Sequence, residues 1–119
     1  LEIPTKMIFI LRILLTAVVV VFLAKFLPGV TVAGYLTAII VALVLALLNL
    51  IVKPILILFT LPVTILTFGL FLIVINAIII LLADAFVDGF DVAGFWIAVL
   101  FSILLSIFQS LLFSLAERK

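Results

Sequence analysis

The 119-residue chain contains no cysteine and no histidine. Without cysteine there are no disulfides, no thiol chemistry and no cysteine-linked lipid, and without histidine the usual proton shuttle and the commonest metal ligand are missing. Charge is scarce as well. Only 9% of residues are charged, the net charge is +1, and the six Lys and Arg are scattered, so neither a nucleic-acid partner nor a basic patch gripping anionic lipid is indicated. Paired intramembrane carboxylates, a phosphate-cradling glycine loop and a nucleophile beside a base are all absent from the sequence, which argues against an enzyme and against any cofactor. Asp84, Asp88 and Asp91 crowd one turn but lack calcium-loop spacing, so they read as a solvated face and not a metal site.

What is present is hydrocarbon. Apolar residues make up 71% of the chain and the mean hydropathy is +1.89, which leaves too little polar surface to cover a water-soluble globule. The expected setting is a bilayer, with lipid as the surrounding partner. The length allows one domain of about four spans at ~20 apolar residues each.

A phrase that occurs twice organises the chain. Phe26-Leu27-Pro28-Gly29-Val30-Thr31-Val32-Ala33-Gly34-Tyr35 returns as Phe86-Val87-Asp88-Gly89-Phe90-Asp91-Val92-Ala93-Gly94-Phe95, sixty residues later. Glycines hold the same register in both copies, which marks a turn at the heart of each, and long apolar runs flank both turns. The fold expected is all-α: an integral membrane four-helix protein built from two parallel helical-hairpin repeats. Two spans per copy is an even number, so the copies share one orientation about an axis along the membrane normal.

In order, residues 1–6 read as a polar leader ahead of Met7, and 7–119 as a single transmembrane domain. Its spans are expected at about 8–26, 35–52, 63–83 and 95–115. The thirty charge-free residues between Lys53 and Asp84 would reach about 45 Å as helix, too long for one crossing and too short for two with a turn. Pro54 and Pro62 bracket the surplus, and 54–62 therefore reads as an interfacial or re-entrant segment. Lys6, Arg12, Lys53, Arg118 and Lys119 fall at the end of the termini against Lys25 alone at the end of the turns. The positive-inside bias then puts both termini on the cytoplasmic side.

Small residues recur every four positions, as Gly34, Ala38, Ala42 and Ala46 along the second span and as Gly94, Ala98, Ser102, Ser106, Ser110 and Ser114 along the fourth. Such stripes let helix backbones approach closely, and they read as helix-packing faces, within one chain or between copies. The serines could alternatively line a polar path. Four polar residues occupy matched depths: Thr16 with Asn76, and Asn49 with Gln109. A carboxamide in hydrocarbon needs a partner, so these are structural glue or, failing that, contacts for a ligand or ion.

Met7-Ile8-Phe9-Ile10-Leu11-Arg12, Leu27-Pro28-Gly29-Val30, Leu48-Asn49, Val52-Lys53-Pro54-Ile55, Leu61-Pro62-Val63-Thr64, Val74-Ile75-Asn76-Ala77 and Val92-Ala93-Gly94-Phe95-Trp96 together resemble phage holin superfamily IV, the YvlD-like family of small four-span membrane proteins. The resemblance covers nearly everything from Met7 onward. It implies holin-like activity, the controlled permeabilisation of the inner membrane. The residues themselves favour a non-enzymatic structural or accessory component, a homo-oligomer or a subunit of a larger membrane complex, with a holin-like pore former as the alternative.

Overall fold

In the computed structural model, residues 4–116 are described. Five helices and two short strands follow in the order α1 (Thr5–Phe26), β1 (Val30–Val32), α2 (Tyr35–Phe59), α3 (Leu61–Leu66), α4 (Phe71–Phe86), β2 (Phe90–Val92) and α5 (Phe95–Ala116). Helix dominates because a backbone in hydrocarbon must satisfy its own N–H and C=O groups, and a helix does so within one segment. α1, α2 and α5 are long and apolar enough to cross a membrane. α4 has sixteen residues, about 24 Å of helix.

The long helices form a ring in which α1 packs on α2 and α5, and α4 packs on α5 and α2. Its centre holds the buried Val20, Ala38, Val41, Ala77, Ala98 and Phe101. The outward faces carry large exposed apolar side chains such as Leu14, Ile40, Leu47, Leu100 and Ile107, as a lipid-facing surface requires.

Both turns end their helices alike. α1 stops at Leu27, whose extended backbone (φ −94°, ψ 119°) suits a residue ahead of proline. α4 stops at Val87 (φ −114°, ψ 114°). The chain then forms β1 and β2, which pair antiparallel with Val30 opposite Val92, Thr31 opposite Asp91 and Val32 opposite Phe90. The Ala33 N–H donates to the Gly89 carbonyl at 2.8 Å, and the Ala93 N–H to the Gly29 carbonyl at 2.7 Å. When sixty is added to one residue number and subtracted from its partner's, Thr31–Asp91 maps onto itself and the other partnerships exchange in pairs. A two-stranded ribbon is marginal alone. This one is fixed by Val30 and Phe90, which turn inward and are buried, while Thr31 and Asp91 face out. Asp84 adds a brace, its Oδ2 accepting the Val92 N–H at 2.9 Å.

The two glycine-marked turns are joined to each other by this ribbon, a strand pairing that the all-α expectation did not include. Two further expectations need correction. The second helix does not stop at Val52; α2 runs through Pro54 to Phe59, and the break falls at Thr60, whose hydroxyl bonds the Leu56 carbonyl at 2.6 Å. Proline removes one donor and crowds the carbonyl a turn back, a smaller loss than opening a whole turn in an apolar setting. Pro62 sits in the first turn of α3, where a missing N–H costs little. Finally, 63–83 is not one continuous helix. α3 ends in a Schellman-type cap in which Gly69 N–H reaches the Thr64 carbonyl at 2.8 Å and Phe68 N–H the Ile65 carbonyl at 3.1 Å, with Phe68 itself in the left-handed region at φ 55°. α4 starts afresh beyond it, its Phe71 N–H donating to Thr67 Oγ1 at 3.1 Å.

Candidate functional site

The polar residues expected in the spans converge between the middle of the ring and the end opposite the ribbon. Thr16 on α1 is buried, and its hydroxyl accepts the Gln109 side-chain amide of α5 at 2.8 Å. This is the interhelical bond that a carboxamide at such depth requires. Asn49 and Asn76 reach the same region from α2 and α4. Residues of the two depths read from the sequence are thus brought together, Thr16 bonding Gln109 and Asn49 sharing a cleft with Asn76.

Two clefts open there. One, of about 290 Å³, is lined by Arg12, Thr16, Asn49, Gln109 and Phe113 among others. The Arg12 guanidinium lies 4.9 Å from the centre of the Phe113 ring, a cation–π distance. The second cleft, of about 110 Å³, is lined by Asn49, Lys53, Asn76, Ser102, Ser106 and Gln109 together with Leu45, Ile79, Ile80 and Leu105. Leu45, Asn49 and Gln109 border both. Beside Lys53 an apolar groove continues along α2 past Pro54, Ile57 and Leu58, and Asn49 and Lys53 line it too.

Bonding is uneven across this cluster. Ser102 returns its hydroxyl proton to the Val99 carbonyl at 2.9 Å, the self-bonding habit of serine in helices. Among the described residues, Asn49, Lys53, Asn76 and Ser106 have no side-chain hydrogen bond or ion pair. All four line the second cleft.

The small-residue stripes divide between inside and outside. Ala38, Ala42, Ala98 and Ser102 are buried, Ala46 and Gly94 half-buried, and Gly34, Ser106, Ser110 and Ser114 exposed. A four-residue step drifts around a 3.6-residue helix, so each stripe leaves the core as it runs along its helix. α2 and α5 each lie between α1 and α4. Lys53 and Arg12, which the sequence marked only as helix-end charges, are the site residues it did not single out. The signal available was their spacing: Lys53 is one turn beyond Asn49, and Arg12 one turn before Thr16.

Residues 7–111 match the family described as mycobacterial 4 TMS phage holin, superfamily IV. The chain is 40% identical over 101 residues to the uncharacterized membrane protein YvlD of Bacillus subtilis (strain 168), covering 84% of this chain and 85% of that protein. It is 49% identical over 76 residues to the uncharacterized protein SCO3922 of Streptomyces coelicolor (strain ATCC BAA-471 / A3(2) / M145), covering 60% and 61% respectively. No solved structure matches.

Proposed function

The chain belongs to phage holin superfamily IV, and from that membership we propose that it is a non-enzymatic structural or accessory component of the bacterial inner membrane, closed at rest and packing with itself or within a larger membrane complex. The observation that carries this reading is how the ring is filled. Phe90 of the ribbon and Phe101 of α5 are fully buried with ring centres 5.9 Å apart, and Val20, Val30 and Val41 complete a dry layer beneath the ribbon. Water does not hydrate an ion through such a layer.

We read the two hairpins, each helix–strand–helix, as an internal duplication in parallel orientation. The supports are the sixty-residue phrase and the exchange symmetry of the ribbon register. Four crossings follow, with α3 and the turn at 67–70 lying at the interface and α4 completing the bundle, and both termini sit in the cytoplasm.

A holin-like pore is the second reading, favoured by one feature. Ser106, Ser110 and Ser114 lie exposed on α5, and several copies turning that face inward could line a channel. The same face would otherwise serve packing between copies. Expressing the chain from Met7 in a bacterial inner membrane, while following membrane potential and dye leakage, decides between them. The potential should hold. Prompt depolarisation at modest expression, abolished when Ser106, Ser110 and Ser114 are changed together to Ala, would overturn the packing reading and establish the pore.

A further inference from the structure

We propose that the cleft between α2, α4 and α5 binds the phosphate group of a membrane phospholipid, with Lys53 as its cation and the adjoining apolar groove holding the lipid chain. No run of basic residues announces such a site, because its donors come from three helices.

The chemistry of the lining selects an anion. Lys53 brings a positive charge, Asn49 and Asn76 bring amide N–H donors, Ser106 brings a hydroxyl, and the second amide hydrogen of Gln109 remains after its bond to Thr16. Every acidic side chain among the described residues, Asp84, Asp88 and Asp91, lies at the ribbon end, far from this cleft. Asn49 and Ser106 are exposed and Lys53 and Asn76 half-buried, and among the described residues none of the four has a side-chain hydrogen bond or ion pair, so their donors are available to a ligand. A tetrahedral oxyanion offers several acceptor positions to donors grouped in this way. The cleft's volume of about 110 Å³ far exceeds the ~10–15 Å³ that one water requires.

Position and shape select a lipid over a free ion. Lys53 stands eighteen residues beyond Tyr35 at the start of α2, about 27 Å along the helix axis, so with Tyr35 at one interface Lys53 reaches the headgroup level of the other leaflet. The polar cleft is continuous, through Asn49 and Lys53, with the groove along Pro54, Ile57 and Leu58. A polar pocket opening onto an exposed apolar groove matches an amphiphile, whereas inorganic phosphate would use only half of it.

Native mass spectrometry of the full chain, released from detergent with phosphatidylglycerol, phosphatidylcholine or the phosphate-free monogalactosyldiacylglycerol, tests the proposal. The two phospholipids should be retained and the galactolipid lost. Lys53→Gln should lower phospholipid retention about tenfold, the scale of losing one charge-assisted hydrogen bond, with Lys53→Arg restoring it and Lys25→Gln at the opposite end leaving it unchanged. Equal retention of the galactolipid, or equal retention by Lys53→Gln with an unaltered helical spectrum, would overturn the proposal. Displacement of the phospholipid by millimolar inorganic phosphate would overturn the choice of lipid as the source.

Discussion

Gln109 on α5 and Thr16 on α1 are joined by a 2.8 Å hydrogen bond across 93 residues of sequence, so the last helix is tied to the first at the level where the polar clefts begin. Thr16→Val and Gln109→Leu should each lower stability by about 0.6–2 kcal/mol. The double variant should cost less than the sum, since the second change has no bond left to break. Thermal unfolding of the four proteins in one detergent measures this. Strict additivity would mean the bond contributes nothing.

Gly29 and Gly89 sit at φ +93° and +91°, and a methyl group on either would lie 2.9 Å from the Cβ of Ala93 or Ala33 respectively. Gly29→Ala or Gly89→Ala should therefore destabilise by about 1–3 kcal/mol, through backbone strain and overpacking together. Gly34 has open space around it and an extended backbone (φ 166°), so Gly34→Ala should stay within about 0.5 kcal/mol of the parent. Melting temperatures of the three variants would show the contrast, and a Gly34 effect as large as that at Gly89 would contradict it.

How much of this was legible in sequence depends on range. The glycine-marked turns at Gly29 and Gly89 and the starts of α2 at Tyr35 and α5 at Phe95 are local features, set by where apolar runs meet turn residues. The ribbon is not local. Val30–Val32 and Phe90–Val92 are each too short to show strand alternation, and each one's partner lies sixty residues away. Pro54 misled for a related reason: its local preference for a break is overridden by the demand that hydrocarbon places on backbone bonding. For the site, Thr16, Asn49, Asn76 and Gln109 were readable as matched depths, while the roles of Lys53 and Arg12 emerge only when helices distant in sequence stand side by side.

Phe68 is left-handed at φ 55° and 96% exposed, at a cap position where glycine is the usual occupant. Phe68→Gly should raise stability in detergent by up to about 1 kcal/mol, and Phe68→Val, whose branched side chain suits that backbone least, should lower it. Chemical unfolding of both variants is the check. Loss of stability in the glycine variant would show that the ring makes a contact the backbone argument ignores.

Ala42 is buried and Ser106 exposed, so bulk at the two positions should act differently. Ala42→Leu should disrupt the single chain by about 1–3 kcal/mol through overpacking, whereas Ser106→Leu should leave the monomer's stability near the parent value and disturb assembly. Ile79→Leu, buried but volume-conserving, should cost less than about 1.5 kcal/mol. Unfolding curves paired with native-gel migration separate the two effects. Identical behaviour of Ala42→Leu and Ser106→Leu in both measurements would remove the distinction.

Single cysteines at Thr31, Asp91 and the C-terminus, treated with an impermeant thiol reagent on intact cells, should be labelled at the first two and protected at the third, as the five-to-one Lys and Arg asymmetry requires. Labelling of the C-terminus alone would invert the topology.

The pairing of β1 with β2 also constrains biogenesis. When α1 and α2 have entered the membrane, β1 presents unpaired N–H and C=O groups, and the strand that satisfies them is not yet synthesised. On the four-crossing reading, the first half waits in the bilayer for Phe90–Val92 to arrive on the same side. Until then β1 is an open edge, and the readiest substitute is the same strand in another nascent chain. Overproduction should therefore yield strand-exchanged dimers, while two halves made as separate polypeptides, divided in the turn at 67–70, should find each other through the ribbon and assemble.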